Sequence, residues 1–516
     1  MSKEKHQLLK QVVRGAGIIF VGTFLAYILN FVYRIVLTRY LGPSDYGLIA
    51  LGQMVLSLGL IISLFGVKEG LMRYVAFYRG KADPSRIKGI FWAAVRIGFP
   101  IALVMTVLLV IFSKQIAIGW FHTEKFIPVL KIFALALPIY VLFRLVNSFF
   151  LAYKKPEYKQ LVENIFTYAI NLILVGIIVV LGGTVLQISW AYLISILAAV
   201  LLGFILLQWK VFPVFGMVHK TKYEYKKLIK FSAPLFFSGI FLNIMGWGDT
   251  FLLGIFKTAA DVGVYNAVLP LMAILGVFLT AFSQIFYPIA SESIGKNRHV
   301  WLGEVFAVIK RWIFVLTFPV FLIVLFFPSV VLKTLFGKAY VGGSAALVVL
   351  LVAYFINVIN GPTDPVLKAF KKTKFIFCTN LVAVILNIVL NMILIPKYGI
   401  IGAAVATSTF VILREFVFFF KVRSMIGFSH DLKLYLKYVL SAVLPLCLSY
   451  AVLTKFFRPY SLLELLVTLA LFCAVYLGLL LLLKSFNKED LMILVAIERK
   501  SGLNLNFAKK IIKRFV

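Results

Sequence analysis

The sequence predicts an all-α integral membrane protein of about fourteen transmembrane helices, arranged as two parallel six-helix repeats around a central cavity plus two extra C-terminal helices. Three observations predict it. Apolar runs of about twenty residues recur along almost the whole chain. Lys and Arg alternate between dense and sparse from one connecting loop to the next. The first half of the chain echoes in the second at a near-constant offset.

Hydrophobic residues make up 62% of the 516 and the mean hydropathy is +1.02, against roughly 45–50% apolar in a globular domain. No water-soluble core hides that much apolar surface, so the solvent must be lipid. A bilayer core of about 30 Å asks for about twenty apolar residues per helix. The first six spans fall near 12–38, 46–67, 88–112, 127–152, 161–182 and 186–209. Six more fall near 231–256, 262–290, 312–332, 342–368, 375–396 and 399–420, and a last pair near 434–456 and 461–484.

The repeat is read from short matches. Leu29-Asn30 through Asp45-Tyr46-Gly47 recurs as Leu242-Asn243 through Asp261-Val262-Gly263. Ala152-Tyr153-Lys154-Lys155 and Asn171 recur as Ala369-Phe370-Lys371-Lys372 and Asn387, at the same displacement to within one position. Six helices return a chain to its starting side, so the repeats share one orientation, the arrangement of secondary transporters with parallel repeats. The expected organisation is a six-helix half over 1–210, a basic interfacial linker over 211–230 and a second half over 231–421. Two additional helices over 432–484 and a basic amphipathic cytoplasmic tail over 485–516 complete it.

The net charge of +34 suggests nucleic acid until its placement is examined. With the N-terminus in the cytoplasm, and residues at span ends given to the adjoining loop, 37 of the 53 Lys and Arg are cytoplasmic, 10 are outside and 6 lie within spans. This is the positive-inside pattern, so the basic excess reports topology and contact with membrane lipids; no nucleic-acid partner follows. Cys378, Cys447 and Cys473 lie in apolar runs without pairing logic, and the five His are loop or tail residues, so no metal site is expected. No phosphate-binding loop of the GxxxxGK[ST] type occurs and no Ser–His–acid or acidic-pair constellation stands out. The expectation is a transport protein without cofactors, not an enzyme.

Charges inside spans carry the functional signal, because an ionisable residue at a helix centre costs about 2.5–3.5 kcal/mol unless it meets a partner or a wet cavity. The deep ones are Arg34, Arg96, Arg144 and Asp249; Lys68, Glu69, Arg73, Glu163, Asp364, Lys368, Arg414 and Glu415 lie near cytoplasmic ends, where Lys and Arg can either line a cavity or snorkel to the headgroups. Arg34 and Asp249 occupy nearly equivalent repeat positions and are expected to face the path near its outer end, pairing when that end closes. Glu415 beside Arg414 reads as a structural pair. Arg144 maps one helical turn from Asp364, and with Lys68, Arg73 and Arg96 it predicts a cationic cavity open to the cytoplasm. Such a cavity suits an anionic amphiphile, because the planar guanidinium binds phosphate through two parallel bonds.

Three segments resemble a known family: Arg34-Ile35-Val36-Leu37-Thr38-Arg39-Tyr40-Leu41-Gly42-Pro43-Ser44-Asp45-Tyr46-Gly47, Gly66-Val67-Lys68-Glu69-Gly70-Leu71-Met72-Arg73-Tyr74, and Asp249 through Val262-Gly263-Val264-Tyr265. Together with the 6 + 6 + 2 layout they resemble the Wzx-type oligosaccharide flippases of the multidrug/oligosaccharidyl-lipid/polysaccharide exporter superfamily, with lipid II flippases as cousins. The resemblance implies ATP-independent, alternating-access movement of a polyprenyl-phosphate-linked glycan to the outer leaflet of the cell membrane. It implies phosphate contacts by Arg34, Arg73, Arg96 and Arg144; the charge placement itself adds Lys68 to these contacts and makes Asp249, Asp364 and Arg34 the candidates for gating or for coupling to Na⁺ or H⁺. A monomer working beside glycan polymerases or ligases is the expected assembly. The runner-up is the drug-exporting branch, which relies on membrane acids.

Overall fold

The computed structural model describes residues 3–215, 221–428, 432–451, 462–483 and 485. The basic tail expected over 485–516, apart from residue 485, and residues 216–220 of the expected linker lie outside them. The described residues are nearly all helical, and none of them forms a strand. Among the described residues ten helices are long and apolar enough to cross a membrane, eleven when the bent helix α8 (Tyr225–Phe256) counts as one span. The protein is a multi-pass membrane protein.

Two long helices each carry two of the expected spans. Helix α1 (Lys3–Leu64) breaks at Gly42, whose φ of 72° admits glycine readily, and Pro43 restarts the helix where its missing N–H is not needed. Helix α14 (Thr373–Ile426) breaks likewise at Gly399, φ 57°. Two expected spans are displaced. The span placed at 312–332 is α10 (His299–Phe326), and α11 (Pro328–Phe336) begins where Pro328 cannot continue the ladder. The span placed at 342–368 divides into α12 (Ser344–Ile359) and α13 (Thr363–Ala369), because Gly361 takes φ 78° and Pro362 follows it.

The internal repeat is present in the backbone. Residues with left-handed φ recur in pairs: Ala82 and Asn297, His122 and Gly337, Lys154 and Lys371, Gly182 and Gly399. All four pairs keep the displacement found between the sequence halves, give or take a single position. At Lys154 the amide donates to Leu151 O at 3.0 Å and the next amide to Phe150 O at 2.9 Å; at Lys371 the same bonds reach Lys368 O and Leu367 O at 3.0 and 2.9 Å. These are helix C-caps in which a left-handed residue lets the last carbonyls be satisfied.

The chain divides into two compact units, Met1–Ala267 and Val268–Val516. In the first, α4 (Phe126–Ala152) is the central helix, buried along most of its length between α1, α3 (Pro84–Ile111) and α7 (Val185–Leu206). Small residues let the helices close on it: Gly52 faces the Phe133 ring, Gly98 faces Val141 and Gly203 faces Val146. Thr106 Oγ1 donates to Ala134 O at 2.8 Å across the α3–α4 seam. The opposite face of α3 presents Val104, Val107 and Ile111 outward, an apolar surface suited to lipid. Short helix α2 (Val67–Gly80) follows the left-handed Gly66. It packs on the start of α8, where Gly70 sits against Leu228 and Ser232. The helix that opens the second sequence repeat therefore belongs to the first compact unit.

The second unit is built from the remainder of α9 (Ala259–Gly295), α10 to α14, α15 (Leu432–Ala451) and α16 (Leu462–Leu482). A run of rings, Phe314, Phe318, Phe321 and Phe355, fills its centre.

Candidate functional site

A cavity of about 300 Å³ lies inside the first unit. On α1, Asn30, Arg34 and Leu37 stand three or four residues apart and share one helix face. Arg34 Nε donates to Asn30 Oδ1 at 2.9 Å and Nη1 to Tyr46 Oη at 3.1 Å. The second bond bridges the Gly42 break, so the guanidinium ties the two limbs of α1 together.

On α4, Tyr140 and Arg144 form a second stripe. Arg144 Nη1 donates to Glu163 Oε1 at 2.9 Å, and its guanidinium carbon lies 5.3 Å from the Tyr140 ring centroid. Glu163 comes from the π-helical turn Gln160–Phe166 between α5 (Pro156–Lys159) and α6 (Thr167–Val180). Widening a helix by one residue per turn re-aims side chains, and such turns concentrate at functional sites. Here Glu163, Asn164, Thr167, Tyr168 and Asn171 all reach the cavity wall. Lys159 Nζ approaches the other Glu163 oxygen at 3.6 Å. Tyr192 of α7 and Trp247 of α8 complete the aromatic lining.

Two guanidiniums against one carboxylate leave the wall with one net positive charge, surrounded by phenols, amides and hydroxyls. The arrangement can bind an anionic group through the arginines, offer flat rings to an apolar face and hydrogen-bond neighbouring hydroxyls.

The structure brings Arg34 and Arg144 to this cavity and places the other expected contacts elsewhere. Lys68 pairs with the adjacent Glu69 at 3.1 Å. Arg73 is exposed on α2, its guanidinium 4.3 Å from the Phe231 ring centroid. Arg96 is exposed on α3, stacked 4.6 Å from the Tyr223 ring centroid and donating to Tyr225 Oη at 3.3 Å. Arg73 and Arg96 lie outside the wall because each reaches the aromatic start of α8 or the chain just before it. Arg34 and Asp249 do not pair with each other: Asp249 Oδ2 accepts from Tyr265 Oη at 2.6 Å. Each holds a tyrosine across the break in its own helical hairpin, Gly42 in one case and Lys257-Thr258 in the other. Asp364 lies in the second unit and pairs with Lys368.

The second unit holds a polar cluster of its own. Glu415 is buried beside Arg414 and accepts from Thr363 Oγ1 at 3.4 Å, the structural pair the sequence suggested. Lys310 and Arg311, assigned from the sequence to a cytoplasmic loop, are buried in α10; Lys310 Nζ lies 4.7 Å from the Phe419 ring centroid. They were misplaced because α10 begins at His299, well before the expected span. The cavity tyrosines and amides also escaped the sequence reading. Their signal is a polar face at helical spacing within apolar spans, as in Asn164, Thr167, Tyr168 and Asn171.

The profile described as polysaccharide biosynthesis protein matches residues 12–294, and the MatE profile matches 234–393. The uncharacterized membrane protein MJ1068 of Methanocaldococcus jannaschii is 23% identical over 427 residues, covering 77% of this chain and 81% of that protein. The probable low-salt glycan biosynthesis flippase Agl15 of Haloferax volcanii is 26% identical over 229 residues, 44% of this chain and 48% of its own length. A solved structure of the lipid II flippase MurJ in an inward closed conformation aligns with a TM-score of 0.72 at 17% identity, covering 90% of this chain and 98% of the other. At that identity the likeness establishes the fold. A helical, multi-pass transporter fold together with a profile match over more than half of its length shows that the chain belongs to the polysaccharide biosynthesis protein family.

Proposed function

We propose that this protein is an alternating-access flippase that moves a polyprenyl-(di)phosphate-linked oligosaccharide from the cytoplasmic to the outer leaflet of the cell membrane. The observation that carries the reading is the cavity wall, where Arg34 and Arg144 stand among tyrosines and amides. Two guanidiniums suit the oxygens of a diphosphate. Tyr140, Tyr168 and Tyr192 offer ring faces to the apolar side of a sugar, and Asn30, Asn164 and Asn171 offer amides to its hydroxyls. The volume is that of a small-molecule site, with room for the diphosphate and the sugar beside it while the prenyl chain stays in lipid. The charge asymmetry between loops supports cytoplasmic termini. The names of the relatives, glycan biosynthesis flippase and lipid II flippase, are consistent with such a substrate.

The test is transport of a fluorescent polyprenyl-diphosphate sugar in liposomes by the wild type, Arg34→Ala and Arg144→Ala. The reading requires flipping by the wild type and its loss in both variants. Export of cationic dyes under an ion gradient, without movement of the glycolipid, would replace it with the drug-exporter reading.

A further inference from the structure

Gly47 and Gly263 hold the same place in the two repeats, and they lie against each other within the first unit. A Cβ built on Gly47 falls 1.7 Å from Ala259 O, and one built on Gly263 falls 1.9 Å from Pro43 O. Pro43 and Ala259 are separated along the chain by the same interval as the two glycines. The contact is thus reciprocal, residue for residue, as at a two-fold interface. Each glycine directs a Cα hydrogen at the other helix's carbonyl oxygen, a close approach that only glycine allows and that weak Cα–H···O contacts hold. The crossing joins the restart of α1 after Gly42 to the first turns of α9, the two connections that the charge pattern puts on the outer side.

We infer that the Gly47–Gly263 crossing is the outer gate of the transport cavity, closed in this structure; the inference rests on the flippase reading above. Three properties suit it to the task. It is tight enough to exclude a sugar. It is held by weak contacts, so it can part. It adjoins Tyr46, which lines the cavity and accepts the bond from Arg34. Parting the crossing shifts Tyr46 relative to the first limb of α1, so opening the gate and loosening Arg34 from its tyrosine are one event. Gly47 and Gly263 then act as positioning residues for release, without touching the substrate.

The experiment uses the full chain with Cys378, Cys447 and Cys473 replaced by Ser and a single reporter, Gln53→Cys, in the cavity wall. Right-side-out vesicles are treated with a membrane-impermeant maleimide. A Cβ at either glycine must move a carbonyl from below 2 Å to beyond 3.0 Å, so Gly47→Ala and Gly263→Ala are each expected to hold the outer end ajar. Labelling should rise roughly fivefold or more. Gly119→Ala, where a Cβ meets nothing within 4 Å, is the control. Labelling of both glycine variants at the control rate overturns the inference. Should neither variant fold, Ser44→Cys with Ala260→Cys in the otherwise wild-type outer loops is bridged by a flexible bis-maleimide. Flipping of the fluorescent glycolipid is then expected to stop, and flipping at the full rate overturns the gate. The labelling readout needs no substrate, so a failed glycolipid assay with raised labelling would discard the flippase reading and keep the gate.

Discussion

Glu163 competes with the proposed substrate for Arg144, which makes Glu163→Gln an informative perturbation. The carboxylate sits 2.9 Å from Arg144 Nη1. A unit-charge pair at about 4 Å is worth about 4 kcal/mol at an effective dielectric near 20. The two side chains are 34% and 19% exposed, so water and salt reduce that to about 1 kcal/mol. Neutralising Glu163 releases this competition and adds one net positive charge to the wall. The substrate's dissociation constant should fall roughly fivefold. Arg144→Ala removes a charge-assisted bond of about 1.5–3 kcal/mol and should weaken binding roughly ten- to a hundredfold. The assay is equilibrium binding of a fluorescent polyprenyl-diphosphate sugar to protein in nanodiscs, at low and high salt. The decisive comparison is the double variant, because coupled neighbours are not additive: the gain from Glu163→Gln should vanish in the Arg144→Ala background. An equal gain in both backgrounds would refute the idea that Glu163 acts through Arg144. Binding that Glu163→Gln leaves unchanged or weakens would refute an anionic ligand at this wall.

Three further outcomes are expected. Asp249→Asn keeps an acceptor for Tyr265 but loses the charge assistance of that bond and should lower the melting temperature by the equivalent of about 1 kcal/mol; if Asp249 also couples an ion, the Na⁺ or pH dependence of flipping disappears with it, and flipping measured across both gradients decides. Gly52→Ala puts a Cβ 2.3 Å from the Phe133 ring; thermal unfolding in detergent should show a loss of about 1–3 kcal/mol relative to Gly119→Ala. Glu224 accepts bonds from Lys227, Tyr78 and an ion pair from Arg86, and the Lys227 bond above all holds its carboxylate below the ordinary value near 4.5. A depressed carboxylate stabilises the fold above its unfolded pKa and loses that contribution as pH falls through the folded one. The melting temperature should therefore drop on acidification below about 4.5, and Glu224→Gln should flatten that part of the profile.

The membrane class and the duplication were legible because they rest on long patterns, apolar length and constant offset, that survive local errors. Span ends were less so. Phe327 and Asn360 stand in runs as apolar as the helices around them, and only Pro328 and Gly361-Pro362 mark the breaks. Arg34 and Arg144 were legible because each sits inside an apolar span, where a charge needs a reason. Arg96 gave the same signal for a different cause: it lies on an exposed side of α3 and its side chain turns to Tyr223 and Tyr225. The tyrosines and amides of the cavity carry no charge, and in one dimension a buried phenol looks like any other aromatic residue in a hydrophobic stretch. The reciprocal glycine crossing was out of reach, since nothing in the repeat arithmetic says that two equivalent residues touch.

The paired left-handed turns have a consequence for how this molecule can change over evolution. Lys154 and Lys371, and Ala82 and Asn297, hold a backbone conformation that most residues avoid, yet both copies retain it while the residues between them have diverged. A duplication whose copies share their joints leaves the rods between them free to differ. One copy could become the arginine- and tyrosine-lined wall and the other a bed of phenylalanine, with no renegotiation of where the chain turns. The same asymmetry makes the joints the natural seams for chimaeras, where a segment exchanged from one turn to the next brings its own side chains into an unchanged frame.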